Sequence, residues 1–163
     1  MEIVEYDPRW VGYYDGYSAR IRAALGGRVH LIEHIGSTSV SGLAAKPVID
    51  IVLGVDDPDD EPAYLPDLAA QGFDLRVREV GHRCLRGGHA EVPVNLHCYR
   101  PEAPDVGRYL LFRDWLRRNA PDRDLYAATK RALAGREWPD MNYYAEAKSP
   151  VIADILRRAE QAS

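Results

Sequence analysis

The stretch from His34 to Val52 reads HIGSTSVSGLAAKPVIDIV and concentrates the chemistry of the chain. Gly36 lets the backbone come close to a ligand, and Ser37, Thr38 and Ser39 add hydroxyl and amide donors. A helix starting in such a loop would aim the positive end of its dipole at an anion, so the bend reads as a phosphate cradle, against the plainer reading of a polar turn. Twelve residues separate Ser37 from Asp50, a carboxylate inside an otherwise apolar run. Isolated burial of that charge is very costly, so Asp50 must be paired, placed at a strand end or edge, or bound to a cation; its plain alternative is an anchor for loop amides. His34 and His97 would both flank Asp50 if their strands were neighbours, which makes His34, Asp50 and His97 a candidate mononuclear metal set. Hydrogen-bonded core histidines are the alternative. Lys46, Arg83, Arg113, Lys130 and Lys148 are candidates to neutralise phosphate, each in competition with a surface role. Tyr144, one helical turn before Lys148, is the aromatic residue that would accompany them, whereas Trp10, Tyr13, Tyr17, Tyr109 and Trp115 read as core or partner-facing. Cys84 and Cys98 form neither a disulfide framework nor a C-x-x-C pair, and Cys98 and His97, as strand neighbours, point to opposite faces.

To hold the bend beside Asp50 the chain needs a strand on each side of it. Val29 to Ile35 is the first, rich in β-branched residues, and the apolar run Val48 to Val55 reads as a central strand. Ahead of them, Asp7 and Pro8 cap a helix whose apolar residues recur at three and four residue steps from Trp10 to Leu25, stopped by Gly26 and Gly27. Beyond Asp50 come an acidic loop from Asp56 to Pro62, a short helix from Ala63 to Gln71, and a strand from Phe73 to Glu79. Arg83 to Arg86, the Gly87-Gly88 pair and Glu91 to Tyr99 predict a hairpin, in which Pro93 implies an edge, a bulge or a late strand start. From Val106 onward the pattern is helical, with the last helix starting after a Ser149-Pro150 cap. The expected class is α/β of the α+β kind: a mixed sheet with an antiparallel hairpin, flanked by an N-terminal helix and C-terminal helices.

A chain of 163 residues that is 46% hydrophobic suits one domain spanning residues 1–163. With 21 basic against 25 acidic residues the net charge is −4 and no basic block stands out, so nucleic acid is not an expected partner. No apolar run approaches the roughly 18 residues that span a bilayer and the first residues do not read as a signal peptide, so the expected location is the cytoplasm.

The Gly-Ser turn followed by an aspartate between apolar residues resembles the signature of the nucleotidyltransferase superfamily. The strings EHIGSTSV and GLAAKPVIDI, NLH at Asn95 to His97, FRDWLR at Phe112 to Arg117 and YAEAKSP at Tyr144 to Pro150 are similar to the GrpB family over essentially the whole chain. That resemblance implies a nucleotidyltransferase-like fold that binds a nucleotide such as ATP, or another phosphorylated small molecule, with Mg²⁺ in a cleft between the sheet and the C-terminal helices. Transfer of a nucleotidyl or phosphoryl group, and a homodimer, are open within it. Gly36, Ser37, Thr38, Ser39, Lys46, Arg83, Tyr144 and Lys148 would hold the ligand, Asp50 would bind metal or act as base, and Asn95 and His97 would complete the site. Fusion of some family members to dephospho-CoA kinase points to nucleotide or coenzyme metabolism. The sequence departs from the two-metal pattern: Val52 stands where a second acid belongs, and Asn95, Leu96 and His97 occupy the place of a third, with Glu91 the nearest acid. Ser41 replaces an expected proline. These departures raise two alternatives: a degenerate module that binds without turnover, or a metal-dependent hydrolase or ligase-type biosynthetic enzyme built on His34, Asp50 and His97.

Overall fold

A computed structural model describes residues 2–136 and 141–162, and the side chains of 2–136 and 145–162. In chain order the elements are α1 (Arg9–Leu25), β1 (Leu31–Ile35), β2 (Ile49–Gly54), α2 (Leu65–Ala69), β3 (Asp74–Glu79), β4 (His82–Gly88), β5 (Pro93–Tyr99), α3 (Pro104–Arg118), α4 (Ala120–Ala134) and α5 (Met141–Gln161). The sheet order is β1-β2-β5-β4-β3. β2 and β5 run parallel, and every other neighbouring pair is antiparallel. This is the mixed sheet with hairpin and flanking helices that the sequence implies.

α1 starts where Asp7 Oδ1 accepts the Arg9 amide at 2.9 Å, and it buries Trp10, Tyr17, Ile21 and Leu25 on one stripe. That stripe and Leu68 of α2 cover the sheet face built from Ile49, Ile51, Leu53, Leu85, Val94, Leu96 and Cys98. On the opposite face Ile35, Val52 and Tyr99 pack against Val106 of α3. A third apolar cluster joins Val40 and Leu43 of the loop after β1 to Leu116, Tyr126 and Ile155 of the three C-terminal helices. β2 is apolar on both sides because both faces are covered, and Asp50, on the α3 side, lies at the strand end where that cover stops.

Pro93 opens β5 at the centre of the sheet, so its missing N–H costs the ladder nothing; of the three expected explanations, the late strand start applies. The expected helix from Ala63 to Gln71 is a 3-10 turn at Glu61–Ala63 followed by five helical residues. The expected start at Ser149-Pro150 is corrected, since α5 runs through Pro150. Ser149 Oγ donates back to the Ala145 carbonyl at 3.2 Å, and Val151, Ile152 and Ile155 pack into the loop-helix cluster, so tertiary burial outweighs the backbone bond that proline forfeits. Among the described residues no helix is long and apolar enough to cross a membrane.

Gly36 has φ +73° and ψ −177°, a conformation open almost solely to glycine, and a Cβ there would sit 2.7 Å from Asp50 Oδ2. We expect Gly36→Ala to cost about 3 kcal/mol in denaturant unfolding, through backbone strain and the clash together. Adding Asp50→Ala should recover part of that loss in a double-mutant cycle; strictly additive costs would show that the two positions do not touch.

Candidate functional site

Register places the site's side chains before any helix is considered. Asp50 is paired with Asn95 and Val52 with His97 across the parallel β2-β5 ladder, while Arg86 faces Asn95 and Cys84 faces His97 across β4-β5. Residues in register share a sheet face, so Asp50, Asn95, His97, Arg86 and Cys84 stand on one surface. A cavity of about 560 Å³ opens there, lined by Ser37, Thr38, Lys46, Asp50, Arg86, Asn95 and His97 on the sheet and loop side and by Lys130 and Lys148 from α4 and α5.

The 36–39 bend is a single 3-10 turn, Ser37–Ser39, with no helix following it. Two of its hydroxyls are spent locally: Thr38 Oγ1 donates to the Val48 carbonyl at 3.0 Å and Ser39 Oγ to the Gly36 carbonyl at 2.5 Å. Ser37 is the hydroxyl turned to the cavity, and its Oγ accepts a hydrogen bond from Lys130 Nζ at 2.7 Å. Lys130 is 3% exposed, also donates to the Ala44 carbonyl at 2.7 Å, and lies 4.7 Å over the Tyr126 ring. Burial, then the nearby charges of Lys148 and Arg131, push its ammonium down to about 7. Lys148 is lowered as well, first by burial and then by Lys46, with Asp50 opposing. Arg117 fixes the bend from α3 by donating through Nε and Nη2 to the Ser39 carbonyl at 3.0 and 2.8 Å.

On the sheet, Arg86 Nη1 donates to Asn95 Oδ1 at 2.8 Å, which leaves the amide N–H groups as what Asn95 can offer a ligand. His97 Nε2 stands 3.6 Å from Asp50 Oδ1, and its Nδ1 is 3.4 Å from His82 Nε2. Burial works against charge on His97, yet Asp50 and Cys84 outweigh it and raise the imidazole to about 10. As an imidazolium it donates from both nitrogens, so His82 accepts at Nε2 and donates from Nδ1 to Glu79 Oε1 at 2.8 Å.

Of the expected members, Gly36 and Ser39 lie outside the cavity lining, and His34 and Arg83 lie on the other face of the sheet, which the strand pairing explains. His34 is paired with Ile51, so it projects from the face opposite Asp50, stacked on Tyr14 at 4.8 Å with an interplanar angle of 5°. Its Nε2–H donates to Thr38 Oγ1 at 3.0 Å, because the hydroxyl's one proton already goes to Val48. The expected His34-Asp50-His97 set is therefore split, with His34 on the face opposite the other two, and among the described residues no group of three His, Cys, Asp or Glu is placed to hold a metal ion. Arg83 is paired with Cys98 on the α1 side of the sheet and closes on Glu61 at 2.7 Å and Asp59 at 3.0 Å, which removes it from the expected phosphate set. Arg113 ties α3 to Glu33 at 3.0 Å. The Tyr144 side chain lies outside the described residues.

A family model described as GrpB protein matches residues 1–158. The chain belongs to the GrpB family. A UPF0157 protein of Halalkalibacterium halodurans is 47% identical over 98% of this chain and 82% of its own length. The crystal structure of the conserved protein GrpB from Enterococcus faecalis superposes with a TM-score of 0.88 at 28% identity, covering 99% of this chain and 98% of that one. Cid1 in complex with its short product ApU superposes with a TM-score of 0.59 at 14% identity, over 82% of this chain and 43% of that one, a likeness of fold alone. A Mycolicibacterium paratuberculosis protein named dephospho-CoA kinase is 28% identical to 98% of this chain, which spans 46% of its length. The GrpB fold is nucleotidyltransferase-like, as the sequence implies.

In this GrpB chain the position of a second acid is unusable as it stands: Val52 is fully buried against Ile35, Tyr99 and Val106. Arg86 is the cavity residue that sequence reasoning missed; counting back from Asn95 across the Gly87-Gly88 hairpin would have found it. Lys130 carried a clearer signal, since Asp122, Tyr126 and Lys130 recur every four residues as a buried stripe of α4.

Burial also depresses His34, to about 4, with Asp50 opposing and Arg117 and Arg113 adding to it. Between its ordinary value of 6.5 and about 4 the unfolded chain binds a proton that the folded chain refuses. Its contribution is therefore complete above pH 6.5 and lost as pH falls towards 4, about 3 kcal/mol in all. In urea titrations across that window His34→Gln should flatten the fall in stability; identical slopes in both proteins would contradict the assignment.

Proposed function

We propose that this chain binds a phosphorylated small molecule, a nucleotide or a coenzyme precursor, in the cavity between the sheet and helices α4 and α5, and that it does so without two-metal transfer chemistry. One observation carries the reading: Lys46, Arg86, Lys130 and Lys148 converge with Ser37 and Asn95 on a cavity whose described lining holds one carboxylate, Asp50. In this reading the Ser37 hydroxyl, the Asn95 amide and the lysines hold phosphate oxygens through charge-assisted hydrogen bonds. Asp50 keeps His97 charged and oriented, and remains the cavity's acceptor for a ligand hydroxyl.

A nucleotidyltransferase aligns attacking oxygen and phosphate with two metal ions held by several carboxylates. For Mg²⁺ this cavity offers Asp50, already facing His97, and the neighbouring position of the same face is the buried Val52. That donor set suits anion binding better than nucleotidyl or phosphoryl transfer. The relative named dephospho-CoA kinase makes coenzyme precursors a rational part of any ligand screen.

A thermal-shift screen with ATP, ADP and dephospho-CoA, followed by chromatography of the mixtures, tests the reading. A phosphorylated compound should raise the midpoint by a few degrees while its unphosphorylated counterpart does not. The double variant Lys46→Ala, Lys148→Ala should still unfold cooperatively and lose the shift. Failure of every phosphorylated compound to stabilise the protein would contradict binding, and release of diphosphate from a nucleoside triphosphate would replace the module with a transferase.

A further inference from the structure

The phosphate-binding reading leaves open how the ligand's charge is met, and the following rests on that reading. Three oxygen groups in the cavity are of the kind that ligates a divalent cation: the Asp50 carboxylate, the Asn95 side-chain carbonyl and the Ser37 hydroxyl. Each already faces a basic group of the protein. Asp50 Oδ1 is 3.6 Å from His97 Nε2, Asn95 Oδ1 accepts from Arg86 at 2.8 Å, and Ser37 Oγ accepts from Lys130 at 2.7 Å. The other Asp50 oxygen is crowded by Gly36, where a Cβ would meet Oδ2 at 2.7 Å. A metal ion entering here would be repelled by the groups holding its prospective ligands, and taking any of those ligands would remove a polar partner from a basic side chain.

An anion meets the opposite situation. Lys130 makes no ion pair with a described carboxylate, its charge is disfavoured by Lys148, and that of Lys148 by Lys46. A ligand with several negative charges would relieve that repulsion in a partly enclosed site, where each interaction is stronger than in bulk water. With Asp50 set against the His97 imidazolium, Lys46, Arg86, Lys130 and Lys148 remain to be neutralised, and a monophosphate carries only about two charges at neutral pH. A diphosphate or triphosphate matches them more closely.

We propose that the cavity of this GrpB chain is a metal-independent polyanion site, in which Arg86, Lys130, Lys148 and Lys46 neutralise a diphosphate or triphosphate group that a two-metal relative would neutralise with divalent ions. Free polyphosphate is the binding form, and Mg²⁺ competes for it. Lys130 also supplies a signature. On α4 it is packed beside Arg131 of its own helix, Lys148 of α5 and Ser37 and Ala44 of the loop, with Asp50 and His97 across the cavity on the sheet. Delivery of negative charge to that position draws a proton onto an amine that sheds it readily in the free protein.

Isothermal titration with inorganic diphosphate and with ATP, in EDTA and again in excess MgCl₂, tests this. The expected result is one site, bound in EDTA at least about tenfold more tightly than in MgCl₂ and more tightly than orthophosphate. Repeated at slightly alkaline pH in buffers of different ionisation enthalpy, binding should take up a large fraction of one proton, and Lys130→Met should lose the uptake and about tenfold in affinity. Should Lys130→Met fail to fold, Lys148→Met carries the affinity test, with the same loss expected. Binding that appears only with Mg²⁺ would overturn metal independence while leaving a phosphorylated ligand in place. No binding in either condition would overturn the phosphate reading itself, and affinity unchanged in the folded lysine variants would overturn the site.

Discussion

The arrangement of the cavity depends on one buried amine. Lys130 reaches from α4 to the loop after β1 and holds it at two points, the Ser37 hydroxyl and the Ala44 carbonyl, while its charge rests over the Tyr126 ring. Without this tether the loop would keep Arg117 on the Ser39 carbonyl and the apolar anchors Val40 and Leu43, but Ser37 would lose the partner that aims it into the cavity. The cost of burying the amine is visible in its lowered affinity for a proton, and no described carboxylate relieves it. Two hydrogen bonds and the Tyr126 ring offset part of that cost, and the amine stands at the wall of an open cavity. Strongly perturbed groups in clefts are enriched at functional sites, which is the general ground for treating this one as such.

The opposite wall is set by strand register. Because β2 and β5 are parallel and aligned, Asp50 and Asn95 come side by side, and the hairpin back to β4 delivers Arg86 beside Asn95. The same register consigns the next residue of that β2 face, Val52, to the apolar layer under α3. One geometric fact thus decides both what the cavity contains and what it lacks. The Gly-Ser bend and the strand aspartate are surrounded by Lys46, Arg86, His97, Lys130 and Lys148, so the cavity presents positive charge, where two-metal chemistry needs negative charge.

Much of this was legible in the sequence. The bend, the central strand with its lone acid, the hairpin around Gly87 and Gly88 and the helical C-terminal third all carry local signals, because turn residues and apolar periodicity act over a few positions, whereas Pro93 leaves an edge, a bulge and a late start open. What the sequence concealed was non-local. His34 and His97 sit on strands two places apart in a sheet of five, and the alternation that turns His34 away from Asp50 follows only from pairing His34 with Ile51. Arg83 and Arg86 are three residues apart on one strand and therefore face opposite sides; choosing the one that reaches the cavity requires the register against β5. The Ser149-Pro150 pair misleads for a related reason, since a local stop signal is overridden by the apolar contacts of Val151 and Ile155.

The central claim is that Lys130 is held as a buried, carboxylate-free amine against the hydroxyl bend. A pH titration of the lysine side chains by heteronuclear NMR in isotope-labelled, ligand-free protein, with Lys130→Arg to assign the resonance, measures it directly. The account requires the Lys130 amine to titrate near 7, well below the ordinary lysine value of 10.5. A Lys130 that titrates near 10.5 would mean a solvated or ion-paired ammonium and would contradict it.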